Sequence, residues 1–113
     1  MNLTRQQPRQ KAVFKKRKDP RYLGLVASLP CVICWEFDMK QNSPTEVHHC
    51  KSGRFSQQKT PDFMTIPLCH SHHHKLRAYP GDEGKTGFHN DQAAWESLYG
   101  EDTVWLRWVE ERI

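Results

Sequence analysis

The sequence predicts a small α+β domain, stapled by a bound metal and preceded by a disordered basic tail. Three observations predict it. The chain has 113 residues and a mean hydropathy of −0.85, so its apolar core is thin and benefits from a staple. Two ligand knuckles, Cys31/Cys34 and Cys69/His72, stand far apart in sequence at the spacing a structural zinc uses. Residues 1–22 hold eight of the seventeen Lys and Arg residues against one acid, Asp19. We therefore divide the chain into a tail, residues 1–18, and a domain, residues 19–113. A basic, Gln-rich, weakly apolar tail is expected to be disordered and drawn to phosphate backbones. The alternative is a tail that merely solubilises.

Asp19-Pro20 predicts a helix start, with Asp as N-cap and Pro in the first helical position, and RYLGLVASL places Leu23, Val26 and Ala27 on one stripe until Pro30 ends it. CVICWEF has strand-forming residues within its Cys-x-x-Cys knuckle, DMKQNSPT is a polar turn, and EVHHC is the returning strand of a hairpin. KSGRFSQQKTPD is a basic loop. FMTIPLC is β-like, and HSHHHKLRAY leaves room for a helix of about two turns before Pro80. NDQAAWESLY predicts a helix capped by Asn90 or Asp91 and closed by Gly100. DTVWLRWVEERI predicts a last helix, whose Trp105, Trp108 and Val109 recur at helical spacing as core residues.

Four of the seven histidines fall within LCHSHHHK, residues 68–75. Cys31, Cys34, Cys69 and His72 are the expected ligands of a structural Zn2+, with Cys50 in place of His72 as the alternative. Disulfides are the competing use of four cysteines, disfavoured by the abundance of histidine and an expected reducing compartment. On a helix His73 is rotated about 100° from His72 and points elsewhere, so one helix can serve two sites. His70 and His74 project in a third direction and are expected to be spectators. A strand histidine from His48-His49 and His73 converging on a divalent cation, with another histidine as general base, are the parts needed to hydrolyse a phosphodiester. His89 either caps the following helix or completes that second shell. Lys51, Arg54, Lys59, Lys75 and Arg77 flank the second site and would meet phosphates. No segment approaches the roughly 18 apolar residues of a membrane span, and MNLTRQQPRQ lacks a signal peptide's apolar run, so a cytoplasmic protein is expected.

The stretches LPCVIC, VHHCKSGR and PDFMTIPLCHSHHHK resemble the HNH (ββα-metal, His-Me finger) endonucleases, especially their Ref-like phage and prophage branch. The resemblance covers residues 28–75. It implies a treble-clef-like ββα-metal core and a DNA endonuclease of little sequence specificity, phage- or prophage-encoded in a bacterial host and engaged in recombination or DNA processing. It implies His49 as general base, His48 and His73 as ligands of a catalytic Mg2+ or Mn2+ (with Zn2+ as a further choice), and Cys31, Cys34, Cys69 and His72 as the structural zinc site. The expected partner is DNA, held by Arg9, Lys11, Lys15, Lys16, Arg17, Lys18, Lys51 and Arg54, with a recombinase filament as a second partner and a monomer as the assembly. The brace usually supplied by the motif's central Asn falls to Asp62 or Gln57. The alternatives are a non-catalytic zinc-finger DNA-binding module or a recombinase accessory protein.

Overall fold

The computed structural model describes residues 15–113. Its regular elements are α1 (Pro20–Ala27), α2 (Val32–Glu36), β1 (Thr45–His49), β2 (Thr65–Cys69), α3 (His70–His73), α4 (Gln92–Tyr99) and α5 (Leu106–Glu110), with 3-10 turns at Gly53–Phe55 and Asp102–Trp105. The α+β class stands. Met1–Phe14, which include Arg9 and Lys11, lie outside the described residues. Residues placed in the tail by composition make contacts with the domain: Arg17 Nη2 donates to the Lys59 carbonyl at 2.7 Å, and the Arg17 carbonyl accepts from Asp62 N at 2.8 Å.

Helix α1 begins where its sequence signals place it. The Asp19 side chain accepts from Tyr22 N at 3.1 Å, satisfying one of the amide groups a helix start leaves open, and Pro20 occupies the position where no donor is needed. Val26 is buried, with Tyr22 and Leu29 packed against the core. The Cys-x-x-Cys segment departs from its expected strand. It is the short helix α2, whose N-cap is Cys31 itself, its sulfur accepting from Cys34 N at 3.5 Å. The turn buries Val32 and Ile33 and leaves Trp35 on the surface.

The partner of β1 is therefore β2. The two pair antiparallel, from Thr45 opposite Cys69 to His49 opposite Thr65. Pro67 is tolerated because a strand in a two-stranded ribbon has one free edge. The long connection between them is tied by backbone and side-chain bonds, Cys50 N to the Met64 carbonyl at 3.0 Å and Thr60 Oγ1 to the Cys50 carbonyl at 3.2 Å.

Helix α3 follows β2 without a break and lasts one turn, half the expected length. His74 N and Lys75 N both fold back onto the His70 carbonyl, at 3.1 and 2.8 Å, and Lys75 takes a positive φ of 45°. His70 Nε2 then accepts from Leu76 N and Arg77 N at 3.0 and 3.1 Å, while its Nδ1 donates to Glu46 at 2.9 Å. His70, expected as a spectator, is thus the buried post on which the chain turns. The following loop runs back along α3: Phe88 N and His89 N donate to the His72 and His73 carbonyls at 2.9 and 3.0 Å. Gly87 permits this approach, since a Cβ there would lie 3.1 Å from the His73 carbonyl oxygen and closer still to Asn90.

Asp91 caps α4 by accepting from Ala94 N at 3.1 Å, and Gly100 ends the helix with φ of 87°. The last segment is split, where one helix is expected, because the carboxylate of Asp102 is drawn into the interior by hydrogen bonds described below. Trp108 and Val109 join the core as predicted, with Trp105 only partly buried against it.

Val26, Ile33, Ile66, Leu68, Phe88, Trp95 and Val109 form the apolar centre. Trp95 is fully buried, meets Phe88 and Tyr99 edge-on, and donates from Nε1 to the His72 carbonyl at 3.1 Å. Trp95→Ala is expected to cost about 3–5 kcal/mol, read as a lower urea midpoint with little change in slope. A loss below about 1 kcal/mol would contradict this placement of the core.

Candidate metal centres

The first turn of α2, the end of β2 and the middle of α3 bring Cys31, Cys34, Cys69 and His72 together, all buried, with their donor atoms within 4.8 Å of one another. His72 Nδ1 lies 3.5, 3.6 and 3.3 Å from the sulfurs of Cys31, Cys34 and Cys69, and the Cys34 and Cys69 sulfurs are 3.9 Å apart. Bonds of about 2.3 Å to sulfur put tetrahedral ligands about 3.8 Å apart, so the group can hold one metal ion. The same 3.9 Å excludes a Cys34–Cys69 disulfide, and all four cysteines are free. Cys50 does not belong to the group. It is buried beside Asp102, where burial pushes its thiol up, and His72 rather than Cys50 completes the cluster. Burial pushes the Cys31 thiol up, whereas hydrogen bonds from Cys31 and Cys34 pull Cys69 down.

His48, His73 and His89 form a second group whose ring nitrogens lie within 4.8 Å. His48 Nε2 donates to Asp102 Oδ2 at 2.8 Å, leaving His48 Nδ1 buried without a hydrogen-bond partner. His73 Nδ1 donates to Glu46 Oε1 at 2.8 Å, so its Nε2 carries the free lone pair. A carboxylate on one ring nitrogen fixes the tautomer that presents the other to a metal. Burial lowers His48 and brings His73 and His89 to about 4, with the neighbouring histidines adding to the shift in the latter two. All three are therefore neutral near pH 7, as ligands must be. Burial works against the charges of Asp102 and Glu46 too, but hydrogen bonds from His48 and Lys51 N to Asp102, and from His73 and His70 to Glu46, hold both carboxyls low.

Alternation along β1 sends His48 inward and His49 to the opposite face. His49 is not among the clustered ring nitrogens, but it lines a cavity of about 380 Å³ with Val47, Lys51, Lys59, His73 and His89. Its Nε2 donates to Asp62 Oδ1 at 3.0 Å, and it lines a cavity of about 260 Å³ with Arg17, Lys18, Lys59 and Thr60. His74, expected as a spectator, stacks on His89 at 4.4 Å. Among the expected phosphate-binding residues, Lys51 Nζ donates to the Gln58 carbonyl, Arg54 lies over the Phe55 ring, and Lys15 pairs with Glu110, while Lys16 and Lys18 are exposed.

Sequence reasoning missed Asp102, Glu46, Asp82 and Lys85. Asp102 sits at a helix start fifty-four residues from His48 and reads there as an ordinary first-turn acid. Glu46 lies two residues before His48 on the same strand, the one signal that could have found it. Lys85 falls in a Gly-rich loop, yet its Nζ is buried 2.6 Å from Asp82 Oδ1 and 3.4 Å from Cys34 Sγ. Burial opposes its charge, but Asp82 and Cys34 outweigh that and hold Lys85 protonated.

No family model and no solved structure matches the chain. Anaredoxin from Nostoc sp. strain PCC 7120 is 30% identical over 67 residues, a match spanning 58% of this chain and 84% of the relative. The chain belongs to the Anaredoxin family. This overturns the HNH endonuclease expected from the ligand motifs, because the relative bears the name of a redoxin and not of a nuclease. With the hydrolase go the general-base role of His49, the catalytic role of the ion at His48 and His73, and the phage or prophage origin. The physical reason is that Cys and His at chelating spacing specify an ion and leave its chemistry open. The match to this relative does not bear on the expectation, drawn from charge, that Arg9, Lys11, Lys15, Lys16, Arg17, Lys18, Lys51 and Arg54 meet DNA. Among the described residues no helix is long and apolar enough to cross a membrane.

The depressed pKa of His73 sets a pH dependence for the metal-free protein. Between about 4 and the ordinary 6.5 the unfolded chain binds a proton that the folded chain does not. Stability should therefore be full above about pH 6.5 and fall as pH drops toward 4, by on the order of 3 kcal/mol from this residue. His89 shifts the same way but is exposed, so its contribution is smaller. Urea unfolding at pH 7 and pH 4.5 in a chelator checks it, and equal stability at both would refute the neutral histidine cluster.

Proposed function

We propose that this member of the Anaredoxin family is a small redox protein whose Cys31, Cys34, Cys69 and His72 hold a single iron ion. The observation that carries the reading is the compactness of the donor set, 3.3–3.9 Å between the atoms measured, in a fully buried position. Two- and four-iron clusters draw their cysteines around several metal atoms and need a wider set, so a mononuclear ion suits this site better. Sulfur-rich donors select iron or zinc over magnesium, which wants oxygen ligands. Iron bound there supplies one-electron chemistry between its ferric and ferrous states, whereas zinc supplies none.

The chain's own residues favour transfer of electrons over chemistry on a bound substrate. Four protein donors leave no open position, and the burial of all four excludes water. Anchoring of the ligands by the α2 turn and by the Trp95 hydrogen bond to the His72 carbonyl keeps them in place when charge changes. Tyr99 Oη lies 3.5 Å from His72 Nε2 and its ring meets the half-exposed Phe37 at 5.0 Å, which puts aromatic side chains between the ligand and the surface.

The second group supports a further bound ion, a first-row transition metal held by His48 Nδ1, His73 and His89. Its donors are three neutral imidazoles, which suit Zn, Cu, Fe or Ni and do not suit the Mg2+ first expected. The orphaned His48 Nδ1 is the feature that favours it.

Protein produced with iron in excess should carry one thiolate-bound iron per chain, with an absorption that dithionite bleaches and ferricyanide restores. Cys69→Ser should lose that absorption. A protein that takes up only zinc, or whose iron form does not cycle, would overturn the redox reading. His73→Ala should remove a second equivalent of transition metal in equilibrium dialysis while leaving the visible spectrum of the first centre unchanged. Loss of both ions together would show that the two sites are not separate.

A further inference from the structure

We propose that Lys85 is a positioning residue of the Cys3His centre, acting through Cys34 to offset the negative charge of the thiolates and so to set metal affinity and reduction potential. The inference rests on the Cys3His site holding an ion, and not on which ion it is.

Three thiolates around a divalent ion leave a net charge of −1 in a site where all four ligands are buried. An uncompensated charge in such surroundings is costly, because the low dielectric that strengthens each Coulomb interaction also withholds solvation. Lys85 is the cation that meets this charge. Its side chain is 7% exposed, and its Nζ lies 3.4 Å from Cys34 Sγ, within reach of an N–H···S hydrogen bond. The ammonium's other contacts are Asp82 Oδ1 at 2.6 Å and the Lys40 carbonyl. Asp82, itself 1% exposed, is held by Ser71 Oγ at 2.6 Å and Asn42 Nδ2 at 2.9 Å, so the pair is anchored from two elements and aims the ammonium at one sulfur.

A fixed cation beside a ligand sulfur favours the more negative state of the centre. Adding an electron makes the centre more negative, so removing the cation should lower the potential. It should also weaken binding of any divalent ion, since the filled site would then carry a buried charge with no cation beside it. Outer-shell partners of metal ligands are typically worth about 10–100-fold in affinity.

The probe is Co(II) added to the metal-free protein, followed by its thiolate charge-transfer band in competition with a chelator. Lys85→Met should bind Co(II) about tenfold or more weakly, and Lys85→Arg should stay near the parent. Because Lys85→Met strands Asp82 without its cation and can unfold for that reason, the double variant Asp82→Asn/Lys85→Met tests the same loss with both charges removed. Asp82→Asn alone leaves the lysine in place without its carboxylate anchor and should weaken Co(II) binding less than Lys85→Met does. In the iron-loaded protein the two variants lacking Lys85 should shift the one-electron equilibrium about tenfold toward the oxidised form, a potential lower by about 59 mV.

A double variant that binds Co(II) as tightly as the parent would overturn the proposal. So would an Asp82→Asn protein weaker than Lys85→Met, because that would make the carboxylate a scaffold whose loss outweighs that of the cation. An iron form with no reversible couple would sink the redox reading and leave the Co(II) comparison to decide the role of Lys85.

Discussion

Three sulfurs and one imidazole nitrogen, supplied by two helices and a strand, lie within a few ångströms of one another, and the rest of the molecule is organised around that convergence. With a cation bound, the termini of α2 and β2 and the turn of α3 become a single body. A two-stranded ribbon is marginal in water unless something packs against it, and here the ligands fasten it to the helices while Trp95 and Phe88 close the space beneath.

The one-turn helix α3 makes two sites out of adjacent residues. His72 faces the cysteines, His73 faces His48 and His89, and His70 supports the chain reversal that ends the helix. Each of the inward histidines of the second group is aimed by a carboxylate, Asp102 for His48 and Glu46 for His73. Asp102 is expensive to bury and is held low by His48 and by backbone N–H groups, and the part-exposed Glu46 is held low by the His73 and His70 rings. The result is a pocket of neutral imidazoles with lone pairs turned toward a common point.

Ligand spacing and chemistry are separate matters, and membership of the Anaredoxin family in a chain with nuclease-like ligand motifs marks where they part. A Cys-x-x-Cys turn and a Cys-x-x-His turn state that a metal can be chelated, and the structure bears out the convergence of these four residues. What a bound ion then does depends on its open positions, its surroundings and its identity. A buried group of four donors with a lysine against one sulfur could hold an ion with no open position.

Sequence patterns alone determined the parts whose causes are local. The Asp19-Pro20 start of α1, the Asp91 and Gly100 limits of α4, the β character of TIPLC and the two chelating pairs all rest on interactions spanning a few residues. The tertiary structure decided everything that needed distant residues to meet. It made α2 a helix capped by Cys31, cut α3 to one turn on the post of His70, and split the last helix by drawing Asp102 inward to His48. It also rejected Cys50 as a ligand, placed His89 beside His73, and carried Lys85 from a loop to Cys34. The physical reason is that a side chain's charge state and role are set by the groups that surround it once water is excluded. For Asp102, Glu46 and Lys85 those groups lie up to fifty-four residues away, beyond any local pattern.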